Sequence, residues 1–240
     1  MSKFVPLSRG RFVAINVFLT LAFSPFVKAD AVISDSFTPT GDNRQVGAGL
    51  SGTKTEQGGA MWLANSRFKF AGSVQDGWII SSASGGGSAR VPIPAGATSV
   101  KIELDFKFET SDTARWVGVG LGDNDSDSTF FKEPTGILLC LSNTGGGRFC
   151  AGPDAVRIGK NAAKLAKEGE FNHLVLFYNL TANTVSAWIN AAPMCPEQTP
   201  CPVPLKADYG GFACYGLGTE AKIDNFKITV EGGAASSAKP

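Results

Sequence analysis

The most constraining feature of the chain is a ten-residue alternation from Val100 to Glu109. Val100, Ile102, Leu104, Phe106 and Phe108 take every second place, and Lys101, Glu103, Asp105, Lys107 and Glu109 fill the places between. A period of two sends one set of side chains to each side of an extended strand, so the segment needs a core on one side and carries charge on the other. A helix would scatter the five apolar residues around its circumference. One such strand cannot be stable alone, which commits the chain to a sheet packed on a second layer.

The rest of the chain supplies the partners. Runs of β-branched and aromatic residues bounded by Gly, Asn, Asp or Ser predict strands over 32–37, 60–64, 68–70, 78–81, 89–93, 115–121, 136–141 and 155–158. Further strands are predicted over 171–178, 184–190, 211–216 and 222–230. Their spacing is that of a sandwich or barrel, not of β-α-β units. Residues 161–168 mix Ala162, Ala163, Leu165 and Ala166 with lysines; the segment is too short to hold a helix by itself and reads as a single turn or an ordered surface connection. Leu180-Thr-Ala-Asn183 reads as a hairpin loop. The stretch 191–204, rich in Pro and Cys, reads as a pinned surface loop, because proline lacks the donor a central strand requires. The expected fold is all-β: a two-sheet antiparallel sandwich over residues 30–231, followed by a disordered polar tail over 232–240.

The amino end carries Lys3, Arg9 and Arg11, then an apolar run from Phe12 to Phe23, then Val27-Lys-Ala29 before Asp30. That order is the layout of a secretory signal peptide over residues 1–29. The alternative, a retained anchor, needs about 20 apolar residues, and this run is shorter and interrupted by Asn16. The expected location is therefore secreted, either extracellular or periplasmic. Removing the segment takes away Lys3, Arg9, Arg11 and Lys28 and no acid, which moves the formal net charge from +1 to −3. A chain of that balance is not built to neutralise phosphates, so nucleic acid is excluded as an expected partner. A polybasic attachment to membranes is disfavoured for the same reason.

Export makes disulfides the default use of the five cysteines. Cys140 and Cys150 flank a glycine-rich turn and are expected to bridge two adjacent strands. Cys195 and Cys201 close a short proline-rich loop, although Cys201 with Cys214 competes, and spacing does not decide between them. The cysteine spacings match no finger-type zinc pattern, and His173 is the single histidine.

Three stretches together carry a resemblance. They are Asp35-Ser-Phe37 leading to Ser51 through Trp62, then Glu170 through Asn190, and Ala207-Asp-Tyr-Gly-Gly211 continuing to Ile223-Asp-Asn-Phe-Lys-Ile-Thr-Val230. The chain resembles the concanavalin A-like lectin/glucanase superfamily, in particular the LamG-like jelly-roll domains of secreted bacterial proteins. The resemblance implies two antiparallel sheets with a curved face, often binding a glycan, sometimes holding calcium, and in some branches cleaving polysaccharides.

Candidate chemistry follows from the residues. Glucanases of this superfamily set acids in a Glu-x-Asp-x-x-Glu pattern, and the nearest match is Glu103-Leu-Asp105. Here Lys107 follows Asp105 on the same side and the next acid, Glu109, falls one place too far, so Glu103 and Asp105 read first as a solvated charged face and as catalytic only in the alternative. Asp123, Asp125 and Asp127 offer alternating oxygen ligands of the kind calcium takes, without the Gly and Glu an EF-hand loop requires; a polar turn is the competing reading. Aromatic rings stack on the apolar faces of sugars. Trp62, Trp78, Trp116 and Trp188 are available. Trp188 with Ser186, opposite the apolar set Val185, Ala187 and Ile189, and Trp116 with Gly118 and Gly120, are the ligand-binding candidates. His173, inside an apolar strand and without a nucleophile elbow nearby, reads as a core or edge histidine. The functional expectation is a secreted carbohydrate-binding protein acting on a glycan or polysaccharide. A polysaccharide-cleaving enzyme of the same fold, or a structural or adhesive envelope protein, are the alternatives.

Overall fold

The structure is a computed structural model. It describes residues 31–232 apart from 42, 82–84, 109–114, 124–135, 144–146, 152–155, 158–164, 168, 203 and 217–220; for 147–151 and 156–157 it describes the backbone alone. The segment expected to be a signal peptide, most of the tail, Asp125 and Asp127 lie outside the described residues.

Sixteen strands follow one another. The first eight are β1 (Ala31–Asp35), β2 (Leu63–Ala64), β3 (Phe68–Gly72), β4 (Gly77–Ser81), β5 (Gly86–Pro92), β6 (Ser99–Lys107), β7 (Trp116–Gly122) and β8 (Ile137–Ser142). The rest are β9 (Gly147–Ala151), β10 (Val156–Arg157), β11 (Phe171–Asn179), β12 (Thr184–Ile189), β13 (Ala192–Pro193), β14 (Thr199–Pro200), β15 (Tyr209–Tyr215) and β16 (Lys222–Glu231). They form two antiparallel sheets. A nine-stranded sheet runs β13-β12-β11-β6-β16-β4-β3, with β1 on β16 and β14 on β12; a seven-stranded sheet runs β10-β9-β8-β7-β15-β5-β2. No helix occurs among the described residues. The expected two-sheet sandwich is the observed one. Leu165 and Ala166, from the segment read as a turn or connection, have no regular structure and pack against the core.

The alternating segment occupies the middle of its sheet, with β11 on one side of β6 and β16 on the other. Val100, Ile102, Leu104 and Phe106 are wholly buried, each such burial stabilising the fold by roughly 1.5–3 kcal/mol. The two sheets meet through rings. Phe212 from the seven-stranded sheet lies 5.3 Å from Phe68 and 6.1 Å from Phe226 of the nine-stranded sheet. Trp62 stands between, 5.6 Å from Phe212 and 4.9 Å from Phe226. These edge-on and tilted contacts are the favoured geometry for aromatic pairs.

The stretch from Asp35 to Trp62 is tied to this core by one buried carboxylate. Asp35 accepts the Trp62 indole N–H at 2.8 Å, the Phe37 N–H at 2.8 Å, and both terminal nitrogens of Arg44. Arg44 in turn donates to the carbonyls of Lys54 and Thr38 and to Glu56. A charge this deep is tolerable only when paired and hydrogen-bonded on all sides. Asp35, Trp62 and the residues between them act as a structural clamp, and Trp62 is core.

The expected Cys140–Cys150 disulfide is corrected by the register. Cys140 stands opposite Arg148 and Cys150 opposite Leu138, so the two cysteines are two residues out of step. Diagonal neighbours of that kind are about 7–8 Å apart, beyond the usual Cα span of a disulfide. No disulfide joins the described cysteines. Cys195 and Cys201 are buried thiols where residues 194–201 lie against β12, and Cys214 is a buried thiol of β15, in the other sheet. Burial pushes the Cys201 thiol up to about 11 and that of Cys214 up to about 12, which disfavours the thiolate at neutral pH. The 191–204 stretch follows the proline argument: the strands among its described residues are β13 and β14, two residues each, on the edge of the sheet.

Candidate functional site

Each sheet turns one face away from the core. On the seven-stranded sheet the register sets the outward residues in rows across β5, β15, β7 and β8. One row is Gly86, Tyr215, Trp116 and Ser142; the next is Ser88, Ala213, Gly118 and Cys140; the third is Arg90, Gly211, Gly120 and Leu138. Small residues fill the middle. At Gly118 an added Cβ would lie 2.7 Å from the Leu139 carbonyl oxygen, and at Gly211 2.0 Å from that of Ala89, so these two glycines let neighbouring backbones approach closely. Their missing side chains therefore serve strand packing. Ser88, Ala213 and Arg90 are buried, and the Arg90 guanidinium lies 5.2 Å over the Tyr209 ring.

The row at one end is different. Trp116 and Tyr215 are direct cross-strand neighbours, and Tyr215 is 53% exposed while Trp116 is half-buried. The Tyr215 ring lies against Gly86, 3.4 Å from where a Cβ would stand. Ser142 follows Trp116 in the same row, and the backbones of Arg115 and Asn143 close the end of the β7–β8 pair, the Asn143 side chain accepting the Arg115 N–H at 2.9 Å. Two aromatic residues on adjacent strands in direct register, with Ser142 next in the row, form a surface able to take the flat face of a polar ring compound. Tyr215 was not among the residues singled out from sequence. Its run, Phe212-Ala-Cys-Tyr215, gives no alternation from which its direction could be read.

On the nine-stranded sheet the outward residues are long and polar. Asp105 lies between His173 of β11 and Asp224 of β16 in direct register, and Glu103 lies between Val175 and Lys227. Glu103 takes the Lys101 ammonium at 2.8 Å. Asp105 meets His173 Nδ1 at 2.6 Å and accepts the Asn225 amide N–H at 3.0 Å. The hydrogen bond to Asp105, with the charges of Asp105 and Glu103 and against some burial, holds the His173 pKa above its ordinary value. The expectation of a core or edge histidine is thereby corrected: His173 is a half-exposed member of a surface network, and its partner lies 68 positions away in sequence.

The other candidates fall as follows. Trp188 is half-buried on the outer face of the nine-stranded sheet, between Val175 and Pro193, so it and Trp116 lie on opposite sides of the sandwich and cannot share one ligand. Ser186 points the same way but is buried, its hydroxyl accepting the Gln198 N–H at 2.9 Å. Trp78 is half-buried with the Lys222 ammonium 3.9 Å over its ring. Asp123 lies 3.7 Å from the Lys206 ammonium, a competing cation where calcium would need an open oxygen. No group of three or more metal-ligating side chains occurs among the described residues.

No family model and no curated protein matches this chain. Solved structures do resemble it. Trypanosoma rangeli sialidase aligns with a TM-score of 0.52 at 12% identity, covering 80% of this chain and 30% of the sialidase. The potassium-bound carbohydrate recognition domain of Emp46p aligns with a TM-score of 0.50 at 13% identity, covering 72% of this chain and 89% of that domain. The carbohydrate-binding module CBM66 from Bacillus subtilis aligns with a TM-score of 0.46 at 12% identity, covering 75% of this chain and 96% of the module. At such identities the likeness is one of fold: a two-sheet, lectin-like β-sandwich.

Proposed function

We propose that the chain is an exported carbohydrate-binding domain of the concanavalin A-like, LamG-like kind, which takes a glycan on the Trp116–Tyr215 end of its seven-stranded sheet. The observation that carries this reading is the pair of aromatic residues in direct register, Tyr215 largely exposed, with Ser142 next in the same row. The fold shared with a carbohydrate recognition domain supports it. Export rests on the basic, apolar, small-residue order of residues 1–29, and the acidic balance left after cleavage fits a neutral glycan better than a polyanion. Binding, and not cleavage, is favoured because Glu103 and Asp105 are each engaged by neighbouring side chains and lie on the other sheet.

The test is a broad polysaccharide array followed by titration of whatever glycan binds. Trp116→Ala and Tyr215→Ala each weaken that binding about tenfold, roughly 1.4 kcal/mol, the scale of one lost stacking contact. Trp188→Ala leaves it unchanged. An array that stays blank, or binding lost with Trp188 and kept without Tyr215, overturns the proposal. Sequencing of the exported protein from its first residue reads Asp30 if the signal peptide is as proposed.

A further inference from the structure

The nine-stranded sheet holds an arrangement that glycan binding leaves unused. Asp105 of β6 and Asp224 of β16 stand directly opposite each other, and like charges in direct register repel. The chain answers with three features. His173 of β11 meets Asp105 on one oxygen at 2.6 Å, and Asn225 donates to the other at 3.0 Å. β16 breaks register between Asp224 and Lys227, with Asn225 at φ +48°, and this bulge brings the Asn225 N–H to Asp224 at 2.6 Å.

We propose that Asp105, Asp224 and His173 form a proton-operated joint between β6, β11 and β16, which tightens as the medium acidifies. The groups facing it are Glu103 and Lys101 of β6, Asp76 from the β3–β4 turn, and Glu56 from the clamp segment. Lys222 is turned over the Trp78 ring, and Lys227 stands opposite Glu103. The charges that act on Asp224 from Asp105, Asp76 and Glu56 are all acidic, while Lys107 stands opposite Lys222 in the next outward row. With both carboxyls ionised the pair repels across the β6–β16 ladder; one proton removes that repulsion and supplies a donor. A proton on His173 turns its contact with Asp105 into a charge-assisted hydrogen bond.

Both titrations act in the same direction. Burial, reinforced by the charges of Asp105, Asp76 and Glu56, holds Asp224 at about 6 against an ordinary 3.8, so the native chain takes this proton where the unfolded chain does not. Acidification through that range favours the native state. His173, raised above 6.5, contributes stability that is full below 6.5 and is lost as pH rises through its native value.

Urea unfolding of the whole protein at about pH 7.5 and about pH 5.5 reads the device directly. The wild-type midpoint rises on acidification, and Asp224→Asn removes at least half of that rise. His173 is the single histidine, so its ring resonances are assigned without ambiguity. They titrate above 6.5 in the wild type and move to 6.5 or lower in Asp105→Asn. A flat wild-type midpoint, a rise untouched in Asp224→Asn, or a His173 midpoint at or below 6.5 overturns the proposal. Should either variant fail to fold, the wild-type ring titration decides alone. None of these readings depends on whether a glycan binds.

Discussion

The two outer faces of the sandwich are made by the same pleat and end in opposite chemistry. On the nine-stranded sheet the outward places hold long polar side chains that bind one another: Lys101 to Glu103, and His173 and Asn225 to Asp105. On the seven-stranded sheet the equivalent places hold Gly118, Gly120, Gly211, Ala213 and Ser88, with rings at the end of the array. A face of long polar groups satisfies itself and has little to offer a ligand beyond its charge. A face of small residues draws the backbones together, and the rings at its rim become the groups that can cover new surface.

The contrast breaks most visibly at a glycine. Gly211→Ala places a methyl against the backbone of Ala89 and Arg90, at 2.0 Å and 2.7 Å, and neither strand can yield without disturbing its ladder. We expect a loss of about 3 kcal/mol or more in urea unfolding. If Gly211→Ala is neutral, the small residues serve something other than close approach. Tyr215→Ala sharpens the same contrast with a smaller effect of a different kind. The residue is 53% exposed, so stability should hold within about 0.5 kcal/mol while glycan affinity falls as described above.

Much of the fold was legible in the sequence because burial imposes a period. The alternation at 100–109 announced β6, its core side and its charged side, and the register places Trp116 with Gly118 and Gly120 on one outer face as the spacing suggested. Contacts between distant strands left no local trace. Nothing near His173 points to Asp105, nothing near Asp105 points to Asp224, and the buried set of Asp35, Arg44 and Trp62 looks in sequence like an ordinary polar loop between two aromatic landmarks. The same limit explains the cysteines. A turn can bring two strands together without bringing Cys140 opposite Cys150, because register, here offset by two residues, decides the pairing whatever the symmetry of spacing. Trp116 and Trp188 could be read as outward-facing, but not as facing opposite ways.

The acid limb of stability separates the clamp from the surface joint. Burial works to raise Glu56, but hydrogen bonds from the Ser36 hydroxyl and the Ser36 and Thr38 N–H groups, together with Arg44, outweigh it and hold the carboxyl below its ordinary 4.5. The contribution of a depressed acid is present above its unfolded pKa and is lost as pH falls through its native one. Stability should therefore climb from neutral pH as Asp224 and His173 take protons, then fall below about 4.5 as Glu56 does. Glu56→Gln removes part of the fall and, by taking away one of the charges that raise Asp224, trims the climb without abolishing it, whereas Asp224→Asn removes the Asp224 share of the climb and leaves the fall. Unfolding midpoints measured across that range distinguish the two.

The smallest effect is expected where the charged face looks strongest. Lys101 and Glu103 are 2.8 Å apart, yet the lysine side chain is 42% exposed. Exposed pairs gain little over hydration, lose side-chain freedom and are screened by salt. Lys101→Ala should thus change stability by no more than about 0.5 kcal/mol, and by less still at high salt. A larger loss would mean that this ammonium also offsets the repulsion between Glu103 and Asp105, which lie two places apart on β6, with His173 Nε2 4.0 Å from Glu103. In that case the His173 titration would move upward in Lys101→Ala as well, because the cation that opposes its protonation has gone. Measured together, the stability and the ring titration show whether this face is a row of separate pairs or one coupled network that extends the joint along β6.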